Sequence, residues 1–111
     1  EKHKPIIKHI SRDNNKPVLF TEYGYRSVDY SAQKPWVFDR NMTTVNLEAQ
    51  NNAMQALYQT FWHEDWFVGG FIWKWFHKDD EVGGEDNFMF TPQNKPVEQL
   101  IKAHYESYRV F

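Results

Sequence analysis

The sequence contains no cysteine, so it offers neither a disulfide framework nor a thiolate metal site. That lack fits the cytosol and the periplasm alike. The compartment therefore stays open, and for a longer parent protein the periplasm or the cell exterior is admitted. No apolar run approaches the ~20 residues that span a bilayer, so no membrane partner is expected. There is no block of lysine and arginine, and the formal net charge is −2, so no nucleic-acid partner is expected either. Glu1 to Lys4 are charged and polar, so no secretion leader is expected in this stretch. The histidines His3, His9, His63, His77 and His104 share no metal-ligand spacing. The acidic cluster Asp79-Asp80-Glu81 with Glu85-Asp86 lacks the alternation of a calcium loop and reads as solvated. No metal and no cofactor are expected.

Aromatic residues, by contrast, make up 18% of the chain: five Trp, six Tyr and nine Phe. They suit a core, and they also suit stacking on the apolar faces of sugar rings. Position has to decide between the two.

The hydrophobic pattern alternates between two periods. Ile6, Ile7 and Ile10 form one helical stripe, stopped by Asp13-Asn14-Asn15, and the chain opens inside this pattern or at its first turn. Lys16 to Gly24 holds the apolar run Val18-Leu19-Phe20, which predicts a strand covered on both faces, with Glu22 near its C-terminal end. A long irregular stretch from Tyr25 to Thr44 follows, and a loop of that length is usually functional. Leu47, Met54, Leu57, Tyr58 and Phe61 then share a helical stripe, with Asn46 as its N-cap. Phe67 to Phe76 reads as a second strand, with Phe71, Trp73 and Trp75 on one face by the period of two. The Gly69-Gly70 pair allows a close neighbour there. His77 to Asn94 is a second long loop. Pro96 opens a last helix, with the stripe Val97, Leu100, Ile101, His104, Tyr105 and Tyr108.

Two apolar strands separated by a helix predict a parallel βαβ unit. Two strands leave two open sheet edges, and a complete barrel of this class needs about 250 residues. The chain therefore reads as an incomplete module. Both strands deliver polar or aromatic groups to one rim: Glu22 from the first, Trp73-Lys74-Trp75 from the second.

At this point a resemblance enters. Lys16-Pro17-Val18-Leu19-Phe20-Thr21-Glu22-Tyr23-Gly24-Tyr25-Arg26-Ser27 resembles strand seven of the clan A glycoside hydrolases, and Gly69-Gly70-Phe71-Ile72-Trp73-Lys74-Trp75 resembles strand eight. Phe90 to Pro96 resembles the entry to the last barrel helix, and the closest match is the mannanase-type family 113. The resemblance implies an α/β fold that is the C-terminal part of a (β/α)8 TIM barrel: helix 6, strand 7, helix 7, strand 8 and helix 8. All of residues 1–111 would belong to that catalytic domain. It also implies a retaining hydrolase of β-linked polysaccharide, mannan first. Glu22 maps onto the nucleophile and Trp73 onto the platform under the sugar, with Trp75 a further candidate at the rim. Tyr25 follows the nucleophile strand, placed to hydrogen-bond substrate or Glu22. Trp36 in the long loop is a candidate wall of the cleft. The clan's acid/base Glu follows an Asn after strand four, and no such strand is present here. Glu48, Glu64, Glu81 and Glu85 fall outside the pattern, so the chain alone is expected to be inactive. Its expected partners are carbohydrate and either the remainder of the barrel or another copy, through the sheet edges. The competing reading is a non-catalytic carbohydrate-binding or self-associating βα module.

Overall fold

The computed structural model describes residues 2–35 and 43–108. Five regular elements and one 3₁₀ turn follow in order: helix α1 (Lys4–Asn14), strand β1 (Val18–Tyr23), helix α2 (Leu47–Phe61), strand β2 (Phe67–Ile72), the turn Asp79–Glu81, and helix α3 (Pro96–Ser107).

Local chemistry sets most of the boundaries. Pro5 lies in the first turn of α1, and Asn15, at φ 49°, ends that helix in the left-handed conformation. Asn46 caps α2 through Oδ1, which accepts from Ala49 N at 2.9 Å. Its amide also donates to Asp29 Oδ1 at 2.6 Å, tying the helix start to the loop after β1. Pro96 opens α3, where its missing N–H costs nothing.

The two strands pair in parallel, with Val18 opposite Phe67, Phe20 opposite Gly70 and Tyr23 opposite Ile72. The register shifts on either side of the Leu19–Phe20 pairings. At Gly70 a Cβ would lie 2.9 Å from both Phe20 O and the Tyr23 ring, so the expected close neighbour is present there.

Helices α2 and α3 pack on each other and on the strands. Tyr23, Met54, Tyr58, Trp62, Trp66, Phe67, Val97 and Ile101 form the buried cluster. Tyr58 and Trp62 meet edge-on with centroids 4.8 Å apart, and half-buried Phe20 meets Phe67 in the same way at 4.9 Å. Tyr23 Oη lies 3.1 Å from Tyr58 Oη and 3.0 Å from Tyr105 Oη, so the strand hydroxyl finds its partners between the two helices.

Two sequence expectations need correction. The second strand ends at Ile72, not Phe76, so Trp73 and Trp75 lie beyond the sheet and the period of two does not pair them. The ladder gains one further bond, Trp73 N to Tyr23 O at 2.8 Å, and then the chain turns away. The first strand is also not covered on both faces: Leu19 is 47% exposed, because no described element lies over it. The α1 stripe is helical, as its period says. Ile7 packs on the cluster, whereas Ile6 and Ile10 are 58% and 56% exposed. Their period is helical, but no described element covers them.

Candidate active site

Parallel pairing puts the C-terminal ends of β1 and β2 side by side. At that end Gly24 meets the backbone of Trp73: a Cβ on Gly24 would sit 2.3 Å from Trp73 O. No other residue type permits that approach without moving one strand end. Between and beside these ends lies an open depression of about 670 Å³. Glu22, Gly24, Tyr25 and Trp73 line it, with Phe61 and Phe90 among its apolar walls.

Glu22 is exposed, and no ion pair among the described residues involves it. Glu22 is the sole carboxylate among the described residues lining the depression. Trp73 is 41% exposed, and Lys74 Nζ stands 4.9 Å from the centroid of its ring. The Trp73–Lys74 peptide is cis. Tyr25 is half-buried, and burial holds its hydroxyl above the usual phenol range.

The other sequence candidates fare differently. Trp75 is 52% exposed and does not line this depression. Trp36 lies outside the described residues.

Three buried polar side chains that the hydrophobic pattern passes over shape the rim. Gln50, on the buried face of α2, donates through Nε2 to Tyr25 O at 2.9 Å and Phe90 O at 3.1 Å. It thus holds Tyr25 by its backbone. Lys95 Nζ donates to Ser27 Oγ at 3.1 Å and to Met89 O at 2.9 Å, joining the loop after β1 to the approach to α3. Burial without a carboxylate partner pushes its amine down to about 8. Gln93 grips the loop after β2. The usable sequence signal was a polar residue on an apolar stripe at Gln50. Nothing local marks Gln93 or Lys95.

Comparison with known proteins bears on the family and the fold. The family model for Glycoside Hydrolase Family 113 matches residues 1–95. The β-mannanase AaManA of that family, from Alicyclobacillus acidocaldarius in complex with ManMIm, superposes with a TM-score of 0.80 at 22% identity, over 95% of this chain and 34% of that one. A β-1,4-mannanase of the family superposes at 0.80 with 26% identity, over 93% of this chain and 33% of that one. A complex structure of a family β-1,4-mannanase reaches 0.83 at 25% identity, over 96% and 34%. None of the curated proteins matches the chain. The chain thus spans about a third of the length of the solved enzymes it matches. Its α/β arrangement is that of part of these barrel enzymes. A family match over most of the sequence, joined to that likeness of fold, makes this chain a member of glycoside hydrolase family 113.

Proposed function

We propose that residues 1–111 form the closing part of a (β/α)8 catalytic domain, running from helix six through strand seven, helix seven and strand eight to helix eight. The enzyme is a retaining hydrolase of β-linked polysaccharide, of mannan type. Glu22 is its nucleophile. The carboxylate attacks the anomeric carbon as the leaving oxygen departs, and water then cleaves the glycosyl ester. Trp73 is the apolar platform beneath the ring, and Tyr25 walls the same depression as a hydrogen-bonding group.

One observation carries this reading: Glu22, Tyr25 and Trp73 line a single depression at the C-terminal ends of parallel strands. That is the end at which (β/α)8 enzymes assemble their chemistry. Mannan as substrate is supported by the solved family members, which are β-mannanases. A retaining mechanism needs a second carboxyl about 5–5.5 Å from the nucleophile. No other described carboxylate lines the depression, so the acid/base group belongs to the rest of the barrel. The strands of that remainder are the partners of the two open sheet edges.

The test uses a polypeptide that supplies the whole barrel. Glu22→Ala is expected to abolish hydrolysis of β-mannan with the circular dichroism unchanged. Added azide is expected to restore turnover, with release of the α-glycosyl azide. Substantial residual hydrolysis that azide leaves untouched would remove Glu22 from the role. The 111-residue chain alone is expected to show no turnover, because general acid catalysis, worth roughly 10²–10⁴-fold, is missing.

A further inference from the structure

Beyond Ile72 the chain leaves the sheet, and Trp73 has one ladder bond to Tyr23. The loop that follows is held instead by Gln93, a side chain with no exposed surface. Its Oε1 accepts from Phe76 N at 2.7 Å and from Thr91 Oγ1 at 2.9 Å. Its Nε2 donates to Phe76 O at 3.0 Å and to Asp79 Oδ1 at 2.9 Å. The amide's two donors and two acceptor sites are therefore all engaged. Both backbone groups of Phe76 are engaged as a neighbouring strand would engage them.

The adjoining residues extend the grip. Asn94 Nδ2 donates to Asp79 O at 2.7 Å and to Val82 O at 3.0 Å. Gly84 N donates to Gln93 O at 3.2 Å. At Gly83 a Cβ would lie 1.8 Å from that same oxygen, so only glycine allows the contact. A buried amide satisfied on every side admits one loop geometry, since any shift strands a polar group away from water.

We infer that Gln93 is a positioning residue for Trp73, setting the orientation of the indole through the backbone of Phe76, three residues along. What the indole then does, stacking on a sugar, rests on the function proposed above. The hydrogen bonds fix Phe76; the reach from Phe76 to the indole is the step inferred.

The experiment uses the ¹⁵N-labelled polypeptide that supplies the whole barrel, with the Trp73 indole signal assigned by its loss in Trp73→Phe. Gln93→Ala is expected to raise hydrogen exchange at the Phe76 amide roughly tenfold and to shift the Trp73 indole signal, with Met54 and Tyr58 amides unchanged. Gln93→Glu keeps the shape. At neutral pH its carboxylate faces that of Asp79, whose neighbours Lys78 and Glu81 are exposed and paired with each other, and it has no proton to give Phe76 O. Its oxygen still accepts from Phe76 N, so the expected change is a shifted Trp73 indole signal with Phe76 exchange little altered. Near pH 4, about the carboxyl pKa, the protonated acid donates again and the wild-type signals return. Unchanged Phe76 exchange in Gln93→Ala overturns the inference. So does an unmoved Trp73 signal despite faster exchange, or a pH-independent Gln93→Glu. Should Gln93→Ala lose protection at Met54 and Tyr58, the pH response of Gln93→Glu decides. Adding β-1,4-mannotetraose to the wild type forms a separate arm. An indifferent Trp73 signal counts against the sugar reading, and the two variants still decide the positioning.

Discussion

Behind the sheet, Met54, Tyr58, Phe67, Val97 and Ile101 are buried among apolar and aromatic neighbours. At the rim, the residues buried as deeply are Arg26, Ser27, Gln50, Gln93 and Lys95. Apolar burial is non-directional: it presses helices onto strands and tolerates small slides. Buried amides and an amine are directional, because each donor must find its acceptor. The contrast teaches which part of the molecule needs precision. The layers have only to pack, whereas the loops that border the Glu22 depression have to be held at particular atoms.

The largest break on the apolar side is expected from Phe67→Ala. Phe67 is 1% exposed and meets Phe20, Phe61 and Trp62. Its loss is expected to cost about 3–5 kcal/mol, read as a shift in urea midpoint or loss of the cooperative transition. Gly24→Ala strikes where the two sides meet. Its methyl group, 2.3 Å from Trp73 O, forces the strand ends apart. A cost of about 3 kcal/mol is expected, the upper part of the overpacking range, with a displaced Trp73 indole signal.

A pH series separates the two chemistries. Lys95 has a folded-state pKa lowered to about 8 against 10.5 unfolded, so the unfolded chain binds more protons between those values and stability rises with pH. The gain is expected to be about 2 kcal/mol from pH 8 to 10, and Lys95→Met abolishes it. Above pH 10 the tyrosines reverse the trend. Burial raises the Tyr23 and Tyr58 hydroxyls above the usual phenol range, so stability is lost once the unfolded chain ionises its tyrosines. Denaturant midpoints across this range, for wild type and Lys95→Met, check both signs. The smallest effect is expected from Asn46→Ala. It removes the cap to Ala49 and the tie to Asp29, for about 1 kcal/mol by thermal melting.

Much of the fold was legible along the chain. The stripe Met54, Leu57, Tyr58 and Phe61, the cap Asn46 and the opener Pro96 report helices, because a 3.6-residue period and a terminal proline act through neighbours in sequence. The run Val18-Leu19-Phe20 reports a strand, but not its cover: Leu19 is 47% exposed, because no described element lies over that face. The far end of β2 was not legible. Phe71 to Phe76 alternates apolar residues as a strand does, yet hydrogen bonding ends at Ile72 and Trp73, where β1 stops offering acceptors. Strand length depends on the neighbour, and the neighbour's length is a tertiary fact. Ile6 and Ile10 show the converse: a correct helical period on a face that nothing described covers.

The sequence by itself determined which elements form, their order, the family, and the presence of an acid and an indole near two strand ends. These depend on side chains close along the chain, or on segments that carry a family pattern. Only the tertiary structure decided that Glu22, Tyr25 and Trp73 border one depression, that Trp75 does not, and that Gln50, Gln93 and Lys95 hold the rim. Gln93 and Phe76 are separated by 17 positions, and Lys95 and Ser27 by 68. A hydrogen bond across such a gap leaves no periodicity to read, since it exists only once folding has brought its two ends within reach.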